Sequence, residues 1–393
     1  MLLGVGPGGP IRGRRVAVTG IGAVTCCGLG VEALWEGLVH PSISGERRVR
    51  DFDASAYFDA KEARRVDPFA AFTVGSSEQA IEDAGELAVD PARVGVVFAT
   101  GVGGFETLAD QVTVYNERGA RRVSPFLVPM MMANAGAAHI SMRNGFRGPS
   151  ETVVTACAAG THAIANGARL VASGRCDVVV SGGAEASMHP VAVAAFANMT
   201  ALSTSGVSRP FDRRRDGFVI SEGAAALVLE AWDHAVARGA HIYAEIAGSG
   251  STADAYHITA PAPEGGGAVA CMEQALSDAQ ISEADVAHIN AHGTSTPLND
   301  LAEARAISKV FGEPGPPVTS TKGVTGHGLG AAGAIEAVAS VLAIERKLIP
   351  PTYGCEELDP EIPLDVVRGE ARSWVPGPVL SNSFGFGGHN GCL

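Results

Sequence analysis

Residues 152–183 read TVVTACAAGTHAIANGARLVASGRCDVVVSGG. Thr152–Ala156 carries the β-branched run of a short buried strand. Small side chains follow, with helical spacing from about Ala158 to Ser173. Asp177–Ser181 is again an apolar run, closed by Gly182-Gly183. A strand, a sharp turn, a helix and a second strand within about thirty residues is the repeating unit of an α/β protein with parallel or mixed sheets.

Reading outward, Arg15–Val24 is a buried strand entering a Gly turn, Val31–Val39 a short helix, and Gly75–Ala84 has helical spacing. Val94–Thr100 is a strand ending in Gly101-Val102-Gly103-Gly104, and Ala224–Glu230 is a fifth strand. The second half repeats this order. His241–Ala247 reads as a strand before a Gly-Ser turn, and Ala268–Ala279 as a helix. Asp285–Ala291 is a strand ending in His292-Gly293. Val318–Ser320 is a short strand before a Gly-rich loop and a helix over Ala331–Glu345. Pro378–Ser381 is a strand leading to Phe384-Gly385-Phe386-Gly387-Gly388. Both halves run strand–Gly turn, strand–Gly turn, strand–loop–helix, strand–glycines. This predicts an internal duplication: a flexible Gly/Pro-rich leader over 1–13, a first half over 14–238 and a second over 239–393. Ligands of α/β sheets sit beyond the carboxyl ends of the strands. Cys157, His292, Lys322, His327 and Phe386 all follow strand ends and are predicted to converge.

Composition narrows the function. The chain has 393 residues, 46% hydrophobic and 18% charged, enough apolar content for a large core and too much for a disordered chain. Gly (50) and Pro (22) without a G-X-Y period exclude collagen and point to close backbone approaches. With 29 Lys+Arg against 42 Asp+Glu the net charge is −13, so no bulk positive field attracts nucleic acid or an anionic membrane. Seven cysteines (Cys26, Cys27, Cys157, Cys176, Cys271, Cys355 and Cys392) contain no C-x-x-C pair, which argues against a disulfide framework or a zinc site. No apolar run is long enough for a membrane span, and no signal peptide is read, so a cytoplasmic protein is expected.

Cys157 sits where a strand turns into a helix of small residues, a setting that lowers a thiol's pKa through the helix dipole. A random Cys is more often a small core residue; the elbow favours a nucleophile. His292 lies in NAHGTSTP (290–297) and His327 in STKGVTGHGLGAAG (320–333), each beside glycine at a strand-to-loop exit. Cys with His is the minimum kit for thiol catalysis. His40, His162, His234 and His257 lack this setting and read as structural. Gly328-x-Gly330-x-x-Gly333 fits a dinucleotide fingerprint but does not directly follow its strand, and no G-x-S-x-G serine elbow exists.

The Cys157 elbow, NAHGTSTP, STKGVTGHGLGAAG and NSFGFGGHN (382–390), in this order and spacing, resemble the β-ketoacyl-acyl carrier protein synthases that use Cys-His-His. The resemblance runs from about residue 14 to the end. It implies a thiolase-like fold, two duplicated halves layered α-β-α-β-α, and a decarboxylating Claisen condensation in fatty acid or polyketide elongation. Cys157 would take the acyl group, with the backbone N–H groups of Cys157 and Phe386 as oxyanion hole. His292 and His327 would hold the malonyl thioester oxygen. Lys322 would support them, and Glu303 would anchor the Lys322 network. Thr294 and Thr296 would line the pantetheine channel, Phe384 and Phe386 gate it, and Val102 limit the acyl pocket.

The resemblance further implies no cofactor beyond carrier-bound phosphopantetheine and no catalytic metal, with a structural monovalent cation at Asn290, Glu336, Ser381 and Asn382. Lys61, Arg64, Arg65, Arg121 and Arg122 would dock acyl carrier protein. The assembly would be a homodimer, or a heterodimer with a non-catalytic chain-length partner. A non-catalytic subunit would be expected to lose Cys157 or a His, and this chain keeps all three. A degradative thiolase would want a second catalytic Cys near its C-terminal motif, and none is read there.

Overall fold

A computed structural model describes residues 13–42 and 45–393. The leader read over 1–13 therefore lies, Gly13 apart, outside the described residues. Two sheets follow the same path. The first places Ser150–Val153, Val94–Ala99 and Val178–Glu185 parallel to one another, then Gly223–Ala231 and Val16–Thr25 antiparallel. The second places Val318–Thr319, His288–Asn290 and Val379–Gly385 parallel, then His389–Cys392 and Gly250–Ala253 antiparallel. Strand for strand, order and direction match, so the duplication is one of topology.

The central strands are mostly apolar because both faces are covered, with Ser181, Glu185 and Glu230 as buried exceptions. Val178–Glu185 and Gly223–Ala231 are buried at every position. Pro68–Ala84 and Ala135–Asn144 cover the outer face of the first sheet. Gly266–Ala279 and Pro297–Phe311 cover the outer face of the second. Ala159–Ala172 and Ala332–Arg346 pack together between the sheets in the largest apolar cluster. The layers are thus α-β-α-β-α.

The middle layer explains much of the glycine. A Cβ on Gly160 would lie 2.6 Å from the backbone nitrogen of Ala334, and one on Gly333 would lie 2.2 Å from Thr161 Oγ1. The two central helices cross at van der Waals contact of their backbones. In the fingerprint-like Gly328-x-Gly330-x-x-Gly333, Gly330 and Gly333 therefore serve close packing.

The strand read over His241–Ala247 is reduced to Ala244–Glu245, and it joins the first sheet through Ala17↔Glu245. The second sheet's own edge is Gly250–Ala253, in the stretch read as a turn. Glycine there reports a close approach, since a Cβ on Gly250 would meet Cys271 O at 2.0 Å. Among the described residues no helix is long and apolar enough to cross a membrane.

Candidate active site

Cys157 stands in a single 3₁₀ turn, Ala156–Ala158, between the strand Ser150–Val153 and the helix Ala159–Ala172. Ala156 takes φ +50°, a left-handed conformation that costs about 1 kcal/mol or more outside glycine and throws the next side chain out of the helix path. His162 braces this elbow: Nδ1 meets Thr155 Oγ1 at 2.8 Å and Nε2 meets Asn390 O, on the last strand of the other half, at 3.1 Å.

The second half delivers the histidines. His292 follows His288–Asn290, and His327 follows the short helix Lys322–Thr325. His327 Nε2 is 3.1 Å from Cys157 Sγ. The His292 and His327 rings stand edge to face with centroids 5.3 Å apart. One donor atom from each of Cys157, His292 and His327 falls within 4.8 Å of the others. Such a trio can ligate a metal, but the Lys322 ammonium, 3.4 Å from His292 Nδ1, opposes a second cation there.

The carboxylates differ from the sequence reading. Glu303 makes no direct hydrogen bond or ion pair with Lys322 and joins its network only through the turn that carries His292. Its two oxygens accept from the backbone N–H of His292 (2.8 Å) and Gly293 (2.7 Å), fixing the turn that carries the imidazole. Lys322 instead pairs with Glu336, expected only as a cation ligand, and both are buried. A lone Glu in the apolar run AGAIEAVAS was the available signal, because a buried charge needs a partner. One Glu336 oxygen, Oε2, is buried without a hydrogen-bond partner among the described residues. Asn290 Nδ2 donates to Ser381 Oγ at 3.2 Å, and Asn382 Oδ1 accepts from the Cys392 thiol at 3.2 Å. Glu336 Oε2 is thus a free anionic acceptor that a monovalent cation could use, while Ser381 and Asn382 are already partly engaged.

Electrostatics follows burial. The Cys157 thiol is pushed up to about 11 by desolvation, against pulls from the Phe386 N–H, the Lys322 charge and its own N–H. The sequence reading expected the helix terminus to lower it; burial outweighs that effect. His292 and His327 are held well below the ordinary histidine range, by burial first and then by the Lys322 charge. The resting site is a neutral thiol facing neutral imidazoles. Donation from Lys322 to His292 Nδ1 leaves Nε2 as the protonated nitrogen of that ring.

Cys157, His292 and His327 line a cavity of about 360 Å³ together with Thr294, Thr296, Phe218, Leu329, Phe384 and Phe386, with Lys322 behind the wall against His292. Thr296 also caps the helix Pro297–Phe311, accepting from Asn299 N at 3.4 Å, and bonds Thr294 Oγ1 at 2.9 Å. Gly387 and Gly388 take φ +82° and +73°, so the Phe384–Gly388 loop turns where only glycine is comfortable. The loop's Gly387 N–H donates to Ile258 O at 2.7 Å. Val102 is not among the residues lining this cavity and is 51% exposed in the single chain. Lys61, Arg64 and Arg65 surround a shallow surface hollow with Phe126, and the Arg65 guanidinium stacks on that ring at 3.9 Å. Arg121 and Arg122 are exposed in a 3₁₀ turn shortly before Phe126.

Fold and site together define a thiol acyltransferase of the condensing type. The chain belongs to the β-ketoacyl synthase family: the model of the family's N-terminal domain matches residues 42–235 and that of its C-terminal domain residues 243–356. It is 45% identical to 3-oxoacyl-(acyl-carrier-protein) synthase 2 of Synechocystis sp., over 96% of each chain. It is 42% identical to the Staphylococcus aureus protein of that name, over 97% of this chain and 98% of that one. Among solved structures it matches a β-ketoacyl synthase from Burkholderia phymatum (TM-score 0.89, 34% identity, 97% and 98% covered). It also matches the ishigamide ketosynthase/chain length factor (TM-score 0.89, 33% identity, 97% and 98% covered).

Proposed function

We propose that this chain elongates acyl groups held on acyl carrier protein, with Cys157 as acyl acceptor and His292 and His327 as the decarboxylation pair. The observation that carries the reading is the 3.1 Å approach of His327 Nε2 to Cys157 Sγ in the wall of one cavity that His292 also lines, with Lys322 in contact with His292 behind that wall. In the first half-reaction the Cys157 sulfur attacks the acyl thioester carbon and the carrier thiol leaves with a proton. The tetrahedral oxyanion would accept from the Cys157 and Phe386 N–H groups. Gly385 permits that hole, since a Cβ there would sit 3.0 Å from Cys157 N.

In the second half-reaction the malonyl C–COO⁻ bond breaks, CO2 leaves, and the electron pair becomes an enolate. Nε2–H donors on His292 and His327 would stabilise its oxygen, and the nearby Lys322 charge adds to the field. The enolate carbon then attacks the acyl-Cys157 carbon, the C–S bond breaks, and the sulfur departs as a thiolate that takes a proton from water to restore the thiol. Neutral imidazoles suit this role, because they donate without first having to lose or gain a proton.

Carrier protein is acidic, and at −13 this chain offers it no long-range attraction. The cluster of Lys61, Arg64, Arg65, Arg121 and Arg122 is the docking surface we assign. We take the chain to work as a homodimer; the ketosynthase/chain length factor neighbour supports a heterodimer as the second reading. The family models part between residues 235 and 243, which supports a division of the halves near residue 238. The test is intact-protein mass spectrometry after incubation with acyl carrier proteins of different chain lengths. The expected result is one acyl mass, mapped to Cys157 and absent from Cys157→Ala. An acyl group mapped to another cysteine refutes the reading.

A further inference from the structure

Glu185 is a buried carboxylate to which the reaction above gives no part. It ends the strand Val178–Glu185 in the first half, at the position matched in the second half by the Phe384–Gly388 loop. Its Oε2 accepts from Gly101 N at 2.7 Å, in the loop after Val94–Ala99, and from Gly330 N at 3.1 Å, in the second half. Its Oε1 accepts from Ser187 Oγ at 2.7 Å. No cation pairs with it among the described residues; two backbone N–H groups and one hydroxyl satisfy it. The two loops it joins touch directly: a Cβ on Gly330 would lie 2.1 Å from Gly101 N, and one on Gly101 would lie 2.5 Å from Glu185 Oε2. Gly330 follows Leu329, which lines the cavity at φ +46°, three residues after His327 with its contact to the thiol.

We infer that Glu185 is a positioning residue for the condensation: it staples the first half to the turn that carries His327, and its charge acts on the Cys157 sulfur. The inference rests on the reading of Cys157 as acyl acceptor. Two properties support the charge effect. Glu185 raises the Cys157 pKa through space, whereas Lys322 lowers it. Burial also pushes the Glu185 carboxyl itself up to about 7, against the N–H and hydroxyl donors, so its charge changes near neutral pH. The other ionisable groups around the sulfur are Lys322 and the neutral His292 and His327.

Two substitutions separate staple from charge. In Glu185→Gln the amide oxygen can take both glycine N–H groups while the amide nitrogen donates to Ser187 Oγ, which can also accept. The staple stays and the charge goes. In Glu185→Ala both go. The readouts are the pH profile of iodoacetamide alkylation at Cys157, followed by peptide mass spectrometry, and CO2 release from malonyl carrier protein per folded molecule. Glu185→Gln is expected to move the alkylation midpoint down by about 0.5–1 pH unit, making alkylation at about pH 9, where the wild-type carboxylate is ionised, about 3–10-fold faster. Glu185→Ala is expected to lose about 10²-fold in CO2 release, the scale of a ~1 Å misplacement near the chemistry. A purely structural carboxylate would leave the Gln profile where the wild type has it. An unmoved profile, or wild-type CO2 release per folded Glu185→Ala molecule, overturns the inference and leaves Cys157 as nucleophile standing. Wild-type acylation at a cysteine other than Cys157 would sink both.

Discussion

The two halves of the molecule share one strand path and divide the chemistry between them. After its outer parallel strand, Ser150–Val153, the first half has a short elbow and then the helix Ala159–Ala172. There is room for one small nucleophile, and Ala156 at positive φ aims it. After the matching strand, Val318–Thr319, the second half has a longer segment with its own short helix before Ala332–Arg346. That segment holds both Lys322 and His327. The halves also treat buried carboxylates differently. Glu185 is held by N–H groups and a hydroxyl, while Glu336 is held by an ammonium. Duplication supplied the geometry, and the loops after equivalent strands took up different reactions.

The largest effect expected from breaking this division is on the first half alone. Cys157→Ala should abolish acyl loading and condensation, read as loss of the acyl mass and of 3-oxoacyl product. On the second half, His292→Ala and His327→Ala should each lower malonyl decarboxylation by roughly 10²–10³, with acyl transfer to Cys157 less affected. Wild-type CO2 release in both variants would refute their assignment.

The next effect is on stability. Glu336→Ala leaves the Lys322 ammonium buried without its partner and should cost about 3–5 kcal/mol in denaturant unfolding. Replacing Glu336 and Lys322 together by Met should restore much of that stability while activity stays lost. If the double variant is no more stable than the single one, the pair is not the unit we describe.

The smallest effect lies at the rim. Reversing Arg64 and Arg121 to Glu should raise KM for carrier-bound substrate and hardly change turnover of a small pantetheine thioester. Salt should weaken only the carrier-protein reaction, since exposed charges are screened over about 8–10 Å at physiological ionic strength. Equal loss with both substrates would make those arginines part of the fold or the pocket.

How much of this was legible in the sequence varied with the kind of interaction. The first sheet's long strands were readable because burial on both faces leaves unbroken apolar runs, as in VVVSGG. Gly250–Ala253 and His389–Cys392 were not, because glycine and polar residues there look like turns until helix packing is seen. Cys157, His292, His327 and Lys322 stood out by their position after strands, and the structure brings them into one cavity wall and its immediate support. The partner of Lys322 was hidden, since pairing Glu336 rather than Glu303 depends on how the helix Ala332–Arg346 faces the segment before it. Burial of the thiol, which outweighs the helix terminus, also has no local sequence signature.

The division of labour between the halves is tested most directly by measuring acyl loading and CO2 release side by side in Cys157→Gln and His292→Ala. Gln at 157 roughly mimics an acylated cysteine. The account predicts that Cys157→Gln releases CO2 from malonyl carrier protein without ever loading an acyl group, and that His292→Ala loads the acyl group but releases little CO2. Loss of both activities in each variant, with the proteins still folded, would contradict it.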